Sequence, residues 1–136
     1  MNINYQLLIQ EAIRALDTSH PQHPENLRFG AAVLTKTGHI YSASAYWSDT
    51  ATLTLHAEQA ALVHAAAHGE RDIIAIVCVS TEDESGKKIC HPCGLCKQLI
   101  YESTRHSGID IEVIMANLQG EYISKKISDL SLYPWP

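Results

Sequence analysis

An apolar run over Ile73–Ser80 constrains the fold of this chain more than any other feature. It has the length of one β-strand, and it lacks the alternation of a strand with one face in water. We therefore expect a central strand that is covered on both faces. Helical patterns stand on either side of it, in residues 56–68, which are rich in alanine and stop at Gly69, and in residues 93–106.

The remaining segments complete an alternating pattern. From Tyr5 to Leu16 apolar residues recur at helical spacing, which predicts an amphipathic first helix ending near Pro21. Four further segments are predicted strands: residues 29–35, 40–46, 109–116 and 121–124. The turn signal Lys36-Thr37-Gly38 joins the first two as a hairpin. This order predicts an α/β fold with a mixed sheet, in a single domain over residues 1–136.

Charge and composition narrow the function classes. The formal net charge of -5 argues against a broad basic face, so nucleic acid is an unlikely partner. No apolar run approaches the length of a membrane span, and residues 1–10 lack the basic start and apolar core of a signal peptide. We expect a cytoplasmic protein that acts on a small molecule and has no membrane partner.

Three of the four cysteines are crowded together: Cys90, Cys93 and Cys96 fall between positions 90 and 96. Such crowding favours a metal or catalytic site over structural disulfides. The fourth, Cys78, lies in the central apolar run and is expected to be a small buried hydrophobic residue.

Two short motifs are candidates for the chemistry, namely His56-Ala57-Glu58 and Pro92-Cys93-Gly94-Leu95-Cys96. Each stands at a predicted helix N-terminus, so one imidazole and two thiols can converge from two helices. His, Cys and Cys are ligands that Zn²⁺ prefers, and a catalytic zinc keeps its fourth position for water. The helix N-termini also favour the thiolates. His56, Cys93 and Cys96 are therefore the predicted zinc ligands.

Glu58 is predicted to be a general acid/base and not a ligand. It follows His56 by two positions, and in the first turn of a helix its carboxylate can reach a water on the metal. The pair His-x-Glu and Pro-Cys-x-x-Cys is the signature of zinc nucleobase deaminases. Because both halves occur in order with a predicted strand between them, the combination is far more specific than either half.

Other readings of these residues remain open. Cys90 could be a fourth ligand of a closed structural zinc, which would make the chain a non-catalytic zinc-binding module, but such a site needs no Glu58. An iron–sulfur cluster would need a fourth thiolate, which only Cys78 offers. His64 and His68, more than two turns beyond His56, are expected on the surface or against a partner. The more scattered histidines are not expected to be ligands: His20, His23, His39 and His106.

At these motifs the chain resembles the cytidine deaminase family of small zinc enzymes. The likeness includes Phe29-Gly30-Ala31-Ala32-Val33-Leu34, the stretch Leu53 to Leu62, and Pro92 to Gln98. The resemblance implies a three-layer fold with a mixed five-stranded sheet and helices on both faces. It also implies a homotetramer or homodimer, and substrate contacts from the backbone at Ala57 and His91.

The chain departs from the family pattern in three places. Many members have Cys-Ala-Glu-Arg where this chain has His56-Ala57-Glu58-Gln59, and the loss of a thiolate charge reduces the need for the arginine. Members that bind cytidine usually carry Asn-x-Glu where Ala45 and Trp47 stand here, and an aromatic where Leu27 stands. The part of the pocket that recognises a ribose is therefore expected to be rebuilt.

The sequence thus predicts a zinc-dependent aminohydrolase that releases ammonia from an amino-substituted, pyrimidine-like ring and is not optimised for unmodified cytidine. Two alternatives within this class stay open: an ordinary cytidine or deoxycytidine deaminase, and a deaminase for a blasticidin-like antibiotic. In an alternative register of the second strand Trp47 points into the core, and Ser44, Ser48 or Asp49 hold the sugar.

Overall fold

The computed structural model describes residues 2–21 and 27–136. Its helices are α1 (Tyr5–Ala15), α2 (Ala57–Ala67), α3 (Gly94–Ser107) and α4 (Ile127–Leu130). Its strands are β1 (Phe29–Thr35), β2 (Ile40–Ser44), β3 (Ile73–Ser80), β4 (Glu112–Ala116) and β5 (Tyr122–Lys126). Short 3₁₀ turns follow α1 and precede α2. None of the described helices is both long and apolar enough to cross a membrane.

The strands form one mixed sheet in the order β2-β1-β3-β4-β5. The pairs β2–β1, β1–β3 and β4–β5 are antiparallel, whereas β3 and β4 are parallel. The predicted central strand is confirmed, because β3 pairs on both edges and is buried along almost its whole length. The predicted mixed five-stranded α/β sheet is confirmed as well.

Helices cover both faces of this sheet. The face that carries Ala32, Val77 and Ile114 packs against α1, which buries Leu8 and Ile9 there. Full burial of each of these two side chains contributes roughly 1.5–3 kcal/mol. The opposite face, with Cys78 among its buried residues, packs against the three other helices. Because α2 and α3 lie on the same face, their N-termini can meet at one site.

Gly30 brings α1 close to the sheet. A Cβ at this position of β1 would collide with the backbone oxygen of Ala12 in α1. A larger residue would therefore push the helix away from the strand.

The predicted end of the first helix near Pro21 is wrong, because α1 ends at Ala15 and is followed only by a 3₁₀ turn to Thr18. Three strand ends also differ from the prediction by two or three residues, for physical reasons. β2 ends at Ser44 and not at residue 46, because Tyr46 leaves the sheet and pairs with Leu55 in an isolated bridge. β4 begins at Glu112 and not at residue 109, after Gly108 ends α3 in the left-handed conformation. β5 extends to Lys126 because an exposed edge strand needs no apolar alternation.

A polar cluster joins β2 to the end of α2. The carboxylate of Glu70 accepts hydrogen bonds from Thr37 and from the Tyr41 hydroxyl, the latter at 2.6 Å, and it lies 2.6 Å from His39 Nδ1. The bonds from Thr37 and Tyr41 lower the pKa of Glu70 from its ordinary 4.5 to about 2. The folded protein therefore favours the ionised carboxylate.

This cluster predicts a specific loss of stability in acid. A carboxyl group whose pKa is lowered by folding stabilises the protein above its unfolded pKa, and that stabilisation is lost as the pH falls toward the folded pKa. The difference in Tm between wild type and Glu70→Gln should therefore shrink as the pH falls from about 4.5 to about 2. Thermal unfolding of the two proteins is followed in parallel, so effects of acid that both share cancel and the difference reports on Glu70. A difference in Tm that is constant over this interval would contradict the prediction.

Candidate active site

His56 stands at the N-terminus of α2 in an extended conformation, with φ -70° and ψ 157°. Its backbone oxygen accepts the first helical hydrogen bond, from the amide of Ala60 at 2.9 Å. Its own N–H donates to Gln59 Oε1 at 2.7 Å. Gln59, in the position where many family members carry arginine, thus fixes the backbone of the predicted ligand.

Cys93 and Cys96 occupy the first turn of α3. Cys93 is the N-cap, with φ -73° and ψ 175°, and its backbone oxygen accepts the amide of Lys97 at 2.9 Å. Cys96 lies one turn further on and is buried, whereas Cys93 is exposed to a cavity that adjoins the first turn of α3. Residues three apart share one face of a helix, so both thiols point the same way.

The three side chains meet with the spacing of a tetrahedral zinc site. His56 Nδ1 lies 3.2 Å from Cys93 Sγ and 3.4 Å from Cys96 Sγ. With Zn–N of about 2.0–2.1 Å and Zn–S of about 2.3 Å, the N···S edge of a tetrahedron is roughly 3.5 Å. Among the described residues, these three are the one group of three or more His, Cys, Asp or Glu side chains whose ligand atoms all lie within 4.8 Å of one another.

The charges of the site also fit a divalent cation. Burial raises the pKa of Cys96, and the neighbouring Glu58 and Cys93 raise it further, because ionised groups would repel one another there. A bound divalent ion reverses this balance and deprotonates the thiols it binds. Two thiolates and one neutral imidazole would neutralise the ion and leave its fourth position open.

Glu58 lies beside the three donors in the first turn of α2, only 7% exposed, and it lines the same cavity. Burial raises the pKa of Glu58 because it disfavours the charged carboxylate, while hydrogen bonds from its own backbone and from Cys96 oppose this shift. A buried carboxyl group that is more basic than usual can hold a proton and return it.

Cys90 does not join the cluster. It is not in the group of donor atoms that approach within 4.8 Å of one another. It is buried in the cavity wall, and its backbone oxygen lies 3.4 Å from the thiol of the buried Cys78. A closed site with Cys90 as fourth ligand is therefore not formed by the described residues.

A cavity of about 690 Å³ opens beside the three donors. Its walls are Phe29, Ala45, Trp47, Ser48, Asp49, Ala51, Thr54, His56, Glu58, Cys90, His91 and Cys93. This volume suits a nucleoside-sized ligand. Among these wall residues there is no lysine or arginine, and Asp49 and Glu58 are the carboxylates.

Most of the predicted substrate contacts lie at the cavity. Ala45, Trp47 and His91 are in its walls, and Trp47 Nε1 donates a long hydrogen bond, 3.4 Å, to Ser19 Oγ. Ala57 is fully buried at the first helical position of α2, where backbone N–H groups have no partner within the helix. Leu27 is 38% exposed and lies outside the described walls.

Sequence reasoning missed several wall residues. Phe29, at the start of β1, supplies the aromatic surface that Leu27 lacks. The sequence signal that could have identified Phe29 is that it is an aromatic residue only two positions after Leu27. Ala51 and Thr54 belong to the segment that leads into α2, which has no motif of its own. Ser48 and Asp49, the sequence alternatives to Trp47, also face the cavity, whereas Ser44 does not and lies 3.0 Å from the Thr18 hydroxyl.

The other histidines lie away from the three donors. His64 and His68 are exposed on α2, and His39 belongs to the Glu70 cluster. His20 and His106 are exposed as well. His23 lies outside the described residues.

Comparisons with known proteins agree with this site. The family model described as "Cytidine and deoxycytidylate deaminase zinc-binding region" matches residues 3–109. A cytidine deaminase from Halalkalibacterium halodurans is 33% identical over 125 residues, which are 92% of this chain and 89% of that protein. A blasticidin-S deaminase from Bacillus cereus is 31% identical over 105 residues, which are 74% of this chain and 71% of that protein.

Solved structures share the fold. The crystal structure of cytidine deaminase from Burkholderia pseudomallei matches with a TM-score of 0.81 and 26% identity, over 98% of this chain and 100% of that chain. The cytidine deaminase from Mycobacterium tuberculosis matches with a TM-score of 0.78 over 99% of each chain, but at 20% identity this likeness shows the fold alone.

Proposed function

This chain belongs to the cytidine and deoxycytidylate deaminase family and is a zinc-dependent hydrolytic deaminase; we propose that it releases ammonia from an amino-substituted pyrimidine-like base or nucleoside and is not optimised for unmodified cytidine. The observation that supports this proposal most is that the predicted catalytic groups lie beside a cavity whose walls differ from the expected ribose-binding pattern. His56, Cys93, Cys96 and Glu58 adjoin a cavity whose walls include Ala45 and Trp47, which the resemblance places where cytidine-binding members carry their ribose ligands.

The proposed roles follow from the geometry. His56, Cys93 and Cys96 would hold the zinc ion, which would supply a water molecule acidic enough to act as the nucleophile. Glu58 takes a proton from this water and delivers it to the ring nitrogen. It then takes the proton of the new hydroxyl group on the ring carbon, as the carbonyl forms, and delivers it to the departing amine. The raised pKa of Glu58 suits this exchange, because a general acid and base works best when its pKa lies near the working pH.

Backbone groups orient the ring. The N–H of Ala57 is one of the free amides at the start of α2, and His91 lies in the cavity wall next to the predicted ligands. We propose that both contact the polar edge of the base. The side chain of Phe29 offers an apolar surface on which a flat ring can stack.

We also propose that the substrate carries no phosphate. A phosphate group is usually held by arginine or lysine, or by helix N-terminal amides, and we assign the free amide of Ala57 at the start of α2 to the base. The described cavity walls contain no lysine or arginine, and the carboxylate of Asp49 would repel an anion. A nucleoside or free base is therefore favoured over a nucleotide such as deoxycytidylate.

Unmodified cytidine should be a poor substrate. A ribose needs polar partners for its hydroxyls, and the loss of such partners can lower discrimination by orders of magnitude. Ala45 offers none, and Trp47 offers one indole donor and a large apolar face. The test compares kcat/KM for cytidine, cytosine and sugar-altered aminopyrimidines. If cytidine reaches about 10⁴ M⁻¹s⁻¹ or more, as for many evolved enzymes, and exceeds the others, this proposal is wrong.

An ordinary cytidine deaminase is the second candidate, and specific observations favour it. The relative from Halalkalibacterium halodurans is a cytidine deaminase, and Ser48 and Asp49 face the cavity, where they could bind sugar hydroxyls. Asp49 equally suits a substrate with a cationic substituent, and the Bacillus cereus relative is a blasticidin-S deaminase, which makes a blasticidin-like substrate a further candidate. The variant Asp49→Asn distinguishes cytidine from a cationic substrate, because loss of the carboxylate charge should weaken binding of a cationic substrate far more than binding of cytidine.

We propose a homo-oligomer, a tetramer or a dimer. Large apolar side chains are exposed in the segments that flank cavity-wall residues in the sequence and in the C-terminal tail: Tyr46, Leu53, Leu55, Leu95, Leu132, Tyr133 and Trp135. Exposed apolar groups of this size favour burial against another copy. Light scattering should report a mass of two or four chains. A stable monomer at working concentration would contradict the proposal.

We further propose that residues 1–136 act as one domain in the cytoplasm. The single sheet carries packed side chains on both faces, which links most of the described elements into one unit. The four cysteines are free, as expected in a reducing compartment.

A further inference from the structure

His64 and His68 form a pair on the surface of α2, two turns beyond His56. They are four residues apart, so they are neighbours on one face of the helix. Both side chains are exposed, and His68 is the C-cap just after the last helical residue. Their role is not explained by the catalytic site.

The hydrogen bonds of His64 and His68 indicate which tautomer each neutral imidazole ring adopts. His64 Nδ1 lies 2.9 Å from the backbone oxygen of Ser42, and His68 Nδ1 lies 3.0 Å from the backbone oxygen of His64. A carbonyl oxygen only accepts, so each Nδ1 carries the proton and donates it. In each neutral ring Nε2 is then the nitrogen with a lone pair. Metal-bound histidines show this arrangement, in which the nitrogen that does not bind the metal donates to a carbonyl oxygen.

The spacing of the rings suits a shared ion. Their centroids are 5.2 Å apart. Two imidazoles bound through Nε2 to one tetrahedral ion, at about 2.0–2.1 Å each, have centroids roughly 5 Å apart. The ring of Tyr41 packs against both, with centroids 5.1 Å and 4.9 Å away, and its hydroxyl is held by Glu70. The rings are therefore oriented before any ion binds.

The local charge favours a cation. The Tyr41 ring packs against both imidazoles, and its hydroxyl donates a hydrogen bond to Glu70 at 2.6 Å. The low pKa of Glu70, about 2, means that its carboxylate is ionised at neutral pH. A negative charge is therefore one hydrogen bond away from the residue that packs against both rings. Two imidazoles without a thiolate suit Cu²⁺, Ni²⁺ and Zn²⁺, with Cu²⁺ bound most tightly.

We propose that His64 and His68 are a second metal site, separate from the catalytic donors, which binds one divalent transition-metal ion through the two Nε2 atoms. Water completes the coordination. The site does not depend on the deaminase activity, because it shares no ligand with His56, Cys93 and Cys96.

The test is titration with Ni²⁺ of protein that has been dialysed to one zinc per chain, followed by calorimetry or equilibrium dialysis. Wild type should bind one Ni²⁺ per chain in addition to its zinc. His64→Ala and His68→Ala should each weaken this binding by a factor of about 10 or more while zinc content and circular dichroism stay unchanged. His106→Ala removes an exposed histidine from α3 and serves as the matched control, with wild-type Ni²⁺ binding expected.

Electron paramagnetic resonance with Cu²⁺ gives an independent readout. Wild type should show two imidazole nitrogens on the copper, and His68→Ala should show one. His68 lies beyond the last helical residue, so this variant keeps the test decisive if His64→Ala fails to fold. The proposal is overturned if wild type binds no additional Ni²⁺, or if His68→Ala binds it as wild type does.

Discussion

Glu58→Gln should lower turnover by a factor of about 100 or more while the protein keeps its fold and its zinc. The carboxylate is buried beside the three metal donors, where it can exchange protons with the reacting groups. Glutamine has nearly the same shape but cannot take up a proton. Because burial already disfavours the charged form of Glu58, the neutral side chain costs little stability.

The measurement separates the rate from binding and folding. Ammonia release under saturating substrate gives kcat, metal analysis gives zinc per chain, and thermal unfolding reports stability. Glu84→Gln removes an exposed carboxylate outside the cavity walls and should leave all three unchanged. Turnover of Glu58→Gln within a few-fold of wild type would assign proton transfer to another group.

Cys96→Ala should abolish both zinc retention and activity, an effect at least as large as that of Glu58→Gln. Cys96 is a buried donor within 3.4 Å of His56 Nδ1, so its removal leaves a two-ligand site that holds zinc weakly. Cys93→Ala should act in the same way. Loss of the ion should also lower Tm, because a ligand that binds only the folded state stabilises it.

Cys90→Ala is the control that distinguishes an open zinc site from a closed one. Cys90 lies in the cavity wall but outside the donor cluster, so this variant should keep about one zinc per chain after dialysis. Zinc loss from Cys90→Ala would indicate a four-ligand structural site. Full zinc retention in the double variant Cys93→Ala/Cys96→Ala would end the assignment of these ligands.

The elements with a strong apolar pattern were predicted well from sequence. β1 has the predicted bounds, and β3 is the predicted central strand, because both are buried and rich in aliphatic residues. α4 was missed, since Ile127–Leu130 is too short for a helical period to be visible. The predicted β5 ended too early because the exposed polar residues at its end show no alternation of apolar and polar side chains.

Within the candidate site, too, some residues could be predicted from sequence and others could not. The ligands and Glu58 lie in short local motifs at helix starts, so their convergence follows from the order of the elements. The cavity wall depends on tertiary structure: β1 brings Phe29, and the irregular segment after β2 brings Asp49 and Ala51. Leu27 is exposed and lies outside the described cavity walls, whereas Phe29, two residues later, lies in them. The sequence alone does not show which of the two side chains reaches the cavity.

Ammonia release by protein that contains one zinc per chain tests the central claim most directly. The panel should include cytidine, deoxycytidine, cytosine, sugar-altered aminopyrimidines, deoxycytidylate and aminopurines, with Glu58→Gln as the paired control. We predict zinc-dependent ammonia release from at least one non-phosphorylated aminopyrimidine, lowered by a factor of about 100 or more in Glu58→Gln. Release confined to deoxycytidylate or aminopurines, or equal release by the variant, would contradict the proposed chemistry.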